Sequence, residues 1–246
     1  MSRSIGRIVV GVGIFLVLHA PGTQAVVVVS DSFAVTGLAP RTAGATLLNV
    51  PTETGGLVWK TFGGAMKFDS EGVGYVYCTG TSGADIPYAV TSDMRVSVDV
   101  NLNGYTGTGA VMVGFSKAQP AQPYNWPVFM SVTGAGVWKL VDYDTAAHTV
   151  ATGTGLNTTG WHTMTLEYDP TTKTANIWYD TTQLVTNMVL VENVLSPIGY
   201  VGFGNNPTYA SGIQFDNFVL ESIPEPVTLA LLGMAVPVLG WRRRHI

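Results

Sequence analysis

Met94-Arg95-Val96-Ser97-Val98-Asp99-Val100-Asn101-Leu102 places an apolar residue at every even position and a polar one at every odd position. A strand turns successive side chains to opposite faces, so this period of two describes a strand with one face in a core and the other in water. Met164, Leu166 and Tyr168 repeat the pattern, as do Ala175, Ile177 and Tyr179, and the intervening Asp169-Pro170-Thr171-Thr172-Lys173 carries turn chemistry. These two segments are predicted to form a hairpin. Further strands are expected at 57–62, 73–78, 109–116, 127–132, 136–141, 198–204 and 212–220, separated by glycine-rich punctuation such as Gly55-Gly56, Gly63-Gly64 and Gly104 with Gly107. Nothing between residues 26 and 222 has the period of a long amphipathic helix. Many short strands joined by turns predict an all-β fold, a two-sheet antiparallel sandwich.

The two ends read differently from this middle. Arg3 and Arg7 precede an apolar stretch from Ile8 to Leu18, and Thr23-Gln24-Ala25 offers small residues where a signal peptidase reads. Residues 1–25 are therefore expected to be a secretory signal peptide cleaved after Ala25. At the other end, Ile223-Pro224-Glu225-Pro226 leads into an apolar run from Val227 to Trp241, then Arg242, Arg243 and Arg244. As a helix the run spans roughly 22 Å at about 1.5 Å per residue. That is short of the roughly 30 Å hydrocarbon core, and Pro237 weakens it further as a permanent anchor. Snorkelling arginines let a thin helix insert transiently, with its terminus on the cytoplasmic side. A buried terminal helix is the bland alternative, but it would carry a polar face and this segment has almost none.

Pro224, Glu225 and Pro226, the apolar run and the terminal arginines closely resemble the PEP-CTERM sorting signal of Gram-negative bacteria, a tail also labelled an ice-binding protein C-terminal domain. Thr228 and Leu229 follow Pro226 as in the common form of that signal. The resemblance implies recognition by an exosortase, removal of the tail near Pro-Glu-Pro after transient inner-membrane insertion, and delivery to the cell surface or to an exopolysaccharide or biofilm matrix. It implies nothing about the activity of the cargo.

The expected cargo is residues 26–222, one domain between the signal peptide and the sorting segment 223–246. Setting aside the five terminal arginines leaves seven basic residues of twelve, and setting aside Glu225 leaves fifteen acids of sixteen, so this middle is near −8. An acidic surface argues against nucleic acid and anionic lipid as partners. The hydrophobic fraction of 46% is too high for a disordered chain. Cys78 is the single cysteine, so no intrachain disulfide forms, and its strand setting predicts a small buried hydrophobe.

Asp31-Ser32-Phe33 opens the domain, Glu53-Thr54-Gly55-Gly56 leads to Trp59, Trp161-His162-Thr163-Met164 starts the hairpin, and Phe215-Asp216-Asn217-Phe218 closes it. In this order the signatures resemble the concanavalin A-like jelly roll, the lectin and glucanase superfamily that includes laminin G-type domains. The resemblance implies that the last strand pairs beside the first. Trp59 and Trp161 are expected to fill the space between the sheets.

The same resemblance raises glycoside hydrolysis, which needs two carboxyls about 5 to 10 Å apart. Glu167-Tyr168-Asp169 begins the glucanase strand pattern, but position 172 is Thr and Pro170 ends the strand. Asp69 and Glu71 sit in a turn. No catalytic residues are therefore assigned, and a carbohydrate-active enzyme is kept only as the alternative. Asp142-Tyr143-Asp144, expected in a loop, offers two carboxylates to a Ca2+ ion, the one cofactor considered, against a plain surface-turn reading. For a non-catalytic sugar-binding role the best stretch is Gln119 to Pro127, where three prolines stiffen a loop carrying Tyr124, Asn125 and Trp126. Those aromatics are expected to stack on a neutral polysaccharide; the competing reading folds them onto the sheet as a plug. Ice binding is the remaining alternative, and Thr152 to Thr159 lacks the sustained spacing of a flat threonine array.

Overall fold

A computed structural model of the chain describes residues 24–63, 66–71, 73–78, 80–117, 126–143, 146–190, 198–206 and 212–224. The apolar part of the expected signal peptide, the tail from Glu225 to Arg244 and beyond, and Tyr124, Asn125 and Asp144 lie outside the described residues.

The described residues form fifteen strands: β1 (Val26–Asp31), β2 (Lys60–Gly63), β3 (Met66–Phe68), β4 (Val76–Cys78), β5 (Ser82–Pro87), β6 (Met94–Asn101), β7 (Ala110–Ser116), β8 (Val128–Thr133), β9 (Trp138–Tyr143), β10 (Ala147–Gly153), β11 (Trp161–Asp169), β12 (Thr174–Tyr179), β13 (Thr182–Val189), β14 (Tyr200–Asn206) and β15 (Gln214–Ser222). One sheet runs β13-β12-β11-β6-β15-β4-β3 with β1 added on β15, and the other runs β10-β9-β8-β7-β14-β5-β2. Every pairing is antiparallel. The predicted two-sheet sandwich is what the chain forms. The last strand pairs beside the first, Val29 opposite Leu220.

The alternation in β6 is realised residue by residue: Met94, Val96, Val98 and Val100 are fully buried while the residues between them are half-buried. On β11 the inward set is His162, Met164, Leu166 and Tyr168, and the predicted hairpin pairs Leu166 with Ile177 and Tyr168 with Ala175. Asp169 builds the turn, its carboxylate accepting from the N–H groups of Thr171 (2.7 Å) and Thr172 and from the Thr172 hydroxyl (2.6 Å). Short or two-sided strands escape the period-two pattern, and β1, β3, β5, β10 and β13 are not legible in it.

Trp59 lies at the centre of an aromatic cluster, 5.0 Å from Phe218, 5.4 Å from Phe203 and 5.6 Å from Phe33 between ring centroids. Its Nε1–H donates to Asp31 Oδ2 at 2.8 Å, which lets an indole be buried without an orphaned donor. Arg41 closes on the same carboxylate with two hydrogen bonds of 2.9 and 2.7 Å. Glu53 accepts from Ser32 and Ala34 N–H groups and from Arg41. Burial raises the Glu53 carboxyl, but these donors outweigh it and hold it below its ordinary pKa. Cys78 is buried as expected, and loss of hydration pushes its thiol up to about 12, far from a reactive thiolate.

Trp161 contradicts the expectation. It is 44% exposed and stands on the outer face of its sheet. The reason is parity: His162, Met164 and Leu166 face inward, so Trp161 belongs with Thr163 and Thr165 on the other side. Size alone argued for the core, and the alternation overrules it.

Candidate functional site

Four strands bring four outward residues into one line. Tyr77 of β4 is paired with Gln214 of β15, Gln214 with Asn101 of β6, and Asn101 with Trp161 of β11. Residues directly opposite in an antiparallel sheet share a face, so these side chains form a row across the outer surface. Tyr75, two residues before Tyr77, rises on the same face, and its ring centroid lies 6.1 Å from that of Trp161 with the planes 60° apart.

At one end of this row a cavity of about 290 Å³ opens to solvent, lined by Asp69, Ser70, Tyr75, Tyr77, Asn103, Gly212 and Gln214. Its walls come from the β3–β4 hairpin turn, the ends of β6 and β15, and the segment before β15. The turn is held by Asp69, whose N–H donates to the Tyr75 carbonyl (2.9 Å) and whose Oδ2 accepts from Val73 N–H (2.7 Å). Asn103 takes a left-handed backbone, φ 50°, which asparagine tolerates, and its N–H donates to Asn101 Oδ1 at 2.9 Å. Gly212 has φ 136°, and a side chain there would press on Asn103 Nδ2 at 3.0 Å. A glycine at this position thus keeps the asparagine amide in the cavity wall.

The floor is a chain of oriented dipoles. Asn101 Nδ2 donates to Gln214 Oε1 at 2.9 Å, and Gln214 shares the cavity lining with Tyr75 and Asp69. Burial first, and then the Asp69 acceptor, push the Tyr75 pKa above its ordinary value, so the hydroxyl stays protonated and can donate. Aromatic faces beside amide, hydroxyl and carboxylate groups suit a ligand rich in hydroxyls, each of which both donates and accepts.

Beside this row lies a second one, in which Asp216 is directly opposite Asp99, and Asp99 opposite Thr163. Asp99 is held by the Thr163 hydroxyl (2.5 Å) and Asn217 Nδ2 (2.9 Å). A one-residue bulge between Asp216 and Val219, with Asn217 at φ 48°, turns Asp216 and Asn217 outward together. Burial, reinforced by Asp99, Glu53 and Asp31, pushes Asp216 up to about 6 against the opposing Asn217 N–H.

No family model and no curated protein matches the chain. Solved structures do. The carbohydrate recognition domain of Emp47p superposes with a TM-score of 0.53 at 12% identity, covering 73% of this chain and 94% of that one. The carbohydrate recognition domain of Emp46p in its metal-free form gives 0.52 at 13% identity, covering 71% and 93%. The fold they share is a two-sheet jelly-roll sandwich. At such identities the likeness establishes the sandwich and no residue role.

Within this jelly roll the residues expected to act are scattered. Trp126 is not an exposed platform: it is fully buried against Met112, Phe129 and Val141 on the outer face of the second sheet. The plug reading of that loop therefore holds for Trp126, because an indole laid on an apolar sheet face gains more from burial than from standing in water. Asp142 is not in a loop either. β9 runs on to Tyr143, and Asp142 is buried on the core side opposite Val128 and His148, with His148 Nδ1 at 3.7 Å. Among the described residues no group of three or more His, Cys, Asp or Glu residues is placed to hold a metal ion. Glu167 is engaged by Arg95 (2.7 and 3.1 Å) and Asn176 (2.8 Å), and Asp169 by its turn. Pro224 is two residues past the end of β15, where Ile223 N–H donates to the Asp93 carbonyl at 2.9 Å.

Sequence reading missed Tyr75, Tyr77, Asn103 and Gln214 as a group. Tyr75-Val76-Tyr77 is a visible signal, two aromatics on one face of a strand, but its partners lie far along the chain.

Proposed function

We propose that the domain is a non-catalytic glycan-binding module, using the cavity floored by Gln214 and Tyr75 and walled by Tyr77, Asn103 and Asp69. The observation that carries this reading is the in-register row Tyr77–Gln214–Asn101–Trp161, which sets exposed aromatic surface beside an oriented polar cavity. The carbohydrate recognition domains that share the fold give the reading a precedent in architecture.

The preferred glycans are uncharged. Asp69 lines the cavity and Glu71 sits in the same turn, while Lys67, opposite Tyr77, lies outside the lining. On a domain near −8, a uronic or sialic acid meets like charge. A hydrolytic role has less to draw on, since Glu167 and Asp169 are engaged in holding a strand pair and its turn.

The protein carrying this module is proposed to be exported and sorted to the envelope surface or matrix, on the strength of the two terminal segments alone. Glycan-array binding by the purified full-length chain tests the module. The expected result is retention on neutral polysaccharide, abolished by Tyr77→Ala and weakened by Gln214→Ala with the unfolding midpoint unchanged. Retention that survives both substitutions would place the binding elsewhere.

A further inference from the structure

The row and the cavity do not coincide. Trp161 belongs to the row but not to the cavity wall, and among the described residues its ring neighbour on that face is Tyr75. Three strand steps separate Trp161 from Tyr77, about 14 Å at the usual spacing of about 4.8 Å per strand. Asp99 and Thr163, next to Trp161 in the neighbouring row, are short and hydrogen-bonded to each other, so they lie low on the sheet. The indole therefore stands clear, with 44% of its surface in water.

Resting on the glycan-binding reading, we infer that the site is bipartite: the cavity holds one sugar ring and Trp161 is a separate platform for the next ring of the same chain. The ligand class is thus an uncharged oligosaccharide or the interior of a longer polymer, and a free monosaccharide fills only half of the site. A cavity near 290 Å³ is at the small end for binding sites and suits a single ring. Its open mouth leaves the glycosidic oxygen of that ring free to continue toward Trp161. Stacking on a rigid indole adds affinity at little entropic cost, since the side chain has only two torsions to fix. Tyr75 joins the halves, since it lines the cavity while its ring is set against the indole.

The test is a length series. The full-length chain is titrated against glucose, mannose, galactose and N-acetylglucosamine homo-oligomers of one, two and four units. The bound series should tighten about tenfold from one unit to two or more, the size of effect expected of a single aromatic stacking contact. Trp161→Ala should erase that increment and leave monosaccharide affinity unchanged, Trp161→Phe should keep most of it, and Gln214→Ala should weaken every length equally. An exposed side chain is changed, so thermal midpoints should match the parent, and they serve as the folding control. Equal affinity at all lengths, or a Trp161→Ala loss that is the same for monosaccharide and oligomer, would overturn the bipartite site while leaving glycan binding standing. Binding to no sugar of any length would overturn the glycan reading itself, and this inference with it.

Discussion

Trp59→Ala is the substitution whose consequence the structure sizes best. The indole is fully buried, packs on Phe33, Phe203 and Phe218, and donates to the buried carboxylate of Asp31. Truncating a buried tryptophan to alanine typically costs about 3 to 5 kcal/mol, transfer and cavity terms together. Asp31 keeps Arg41 and the Phe33 N–H but loses one donor, which adds about 1 kcal/mol. The expected total of about 4 to 6 kcal/mol is a large part of a domain's usual 5 to 15 kcal/mol. For a domain of this size that lowers the thermal midpoint by about 10 to 20 °C. Trp59→Phe separates the two parts, since it keeps most of the packing and removes only the donor. Trp161→Ala is the internal contrast, with an expected change within about 0.5 kcal/mol because the side chain is on the surface. The assay is urea and thermal unfolding of all three variants followed by circular dichroism. A Trp59→Ala loss below about 1 kcal/mol, or an equal loss for Trp161→Ala, would refute the assignment of faces on which the whole site rests.

Trp126→Ala should behave as a core change, costing about 3 to 5 kcal/mol in urea denaturation while leaving glycan affinity per folded molecule untouched. Asp216 offers a pH test: its folded pKa, raised to about 6, lies above the ordinary carboxylate value, so its ionisation penalises the native state at neutral pH, and the penalty fades as pH falls below about 6. Asp216→Asn should therefore stabilise by about 1 kcal/mol at pH 7.5 and by little at pH 4, read from paired denaturation midpoints; stabilisation that is the same at both values would contradict the cause assigned. Intact-mass measurement of surface protein from the native host should give a start near Val26 and an end near Pro226, and retention of residues 227–246 in that pool would sink the sorting proposal.

By itself the sequence determined what depends on neighbours along the chain. Period-two alternation names the buried residues of β6, β11 and β12, because a strand's two faces are set by covalent geometry alone. The Asp169 turn and the burial of Cys78 are local in the same sense. Parity from Met164 and Leu166 already placed Trp161 outside, and only the weight given to its size hid that. What the tertiary structure alone decided is which outward residues stand together. Asp69, Tyr77, Asn103 and Gln214 span more than half of the chain, and none is unusual in its own segment. They meet because β4, β15 and β6 pair in one register, and shifting any of these strands by a single residue would send its site residues to the opposite face. The bulge after Asp216 then resets that register for the rest of β15, turning Asn217 outward beside Asp216 while Phe215 and Phe218 both stay in the core. Pairing register is settled by hydrogen bonds and packing between segments distant in sequence, and so the site exists only once both sheets have closed on their common core.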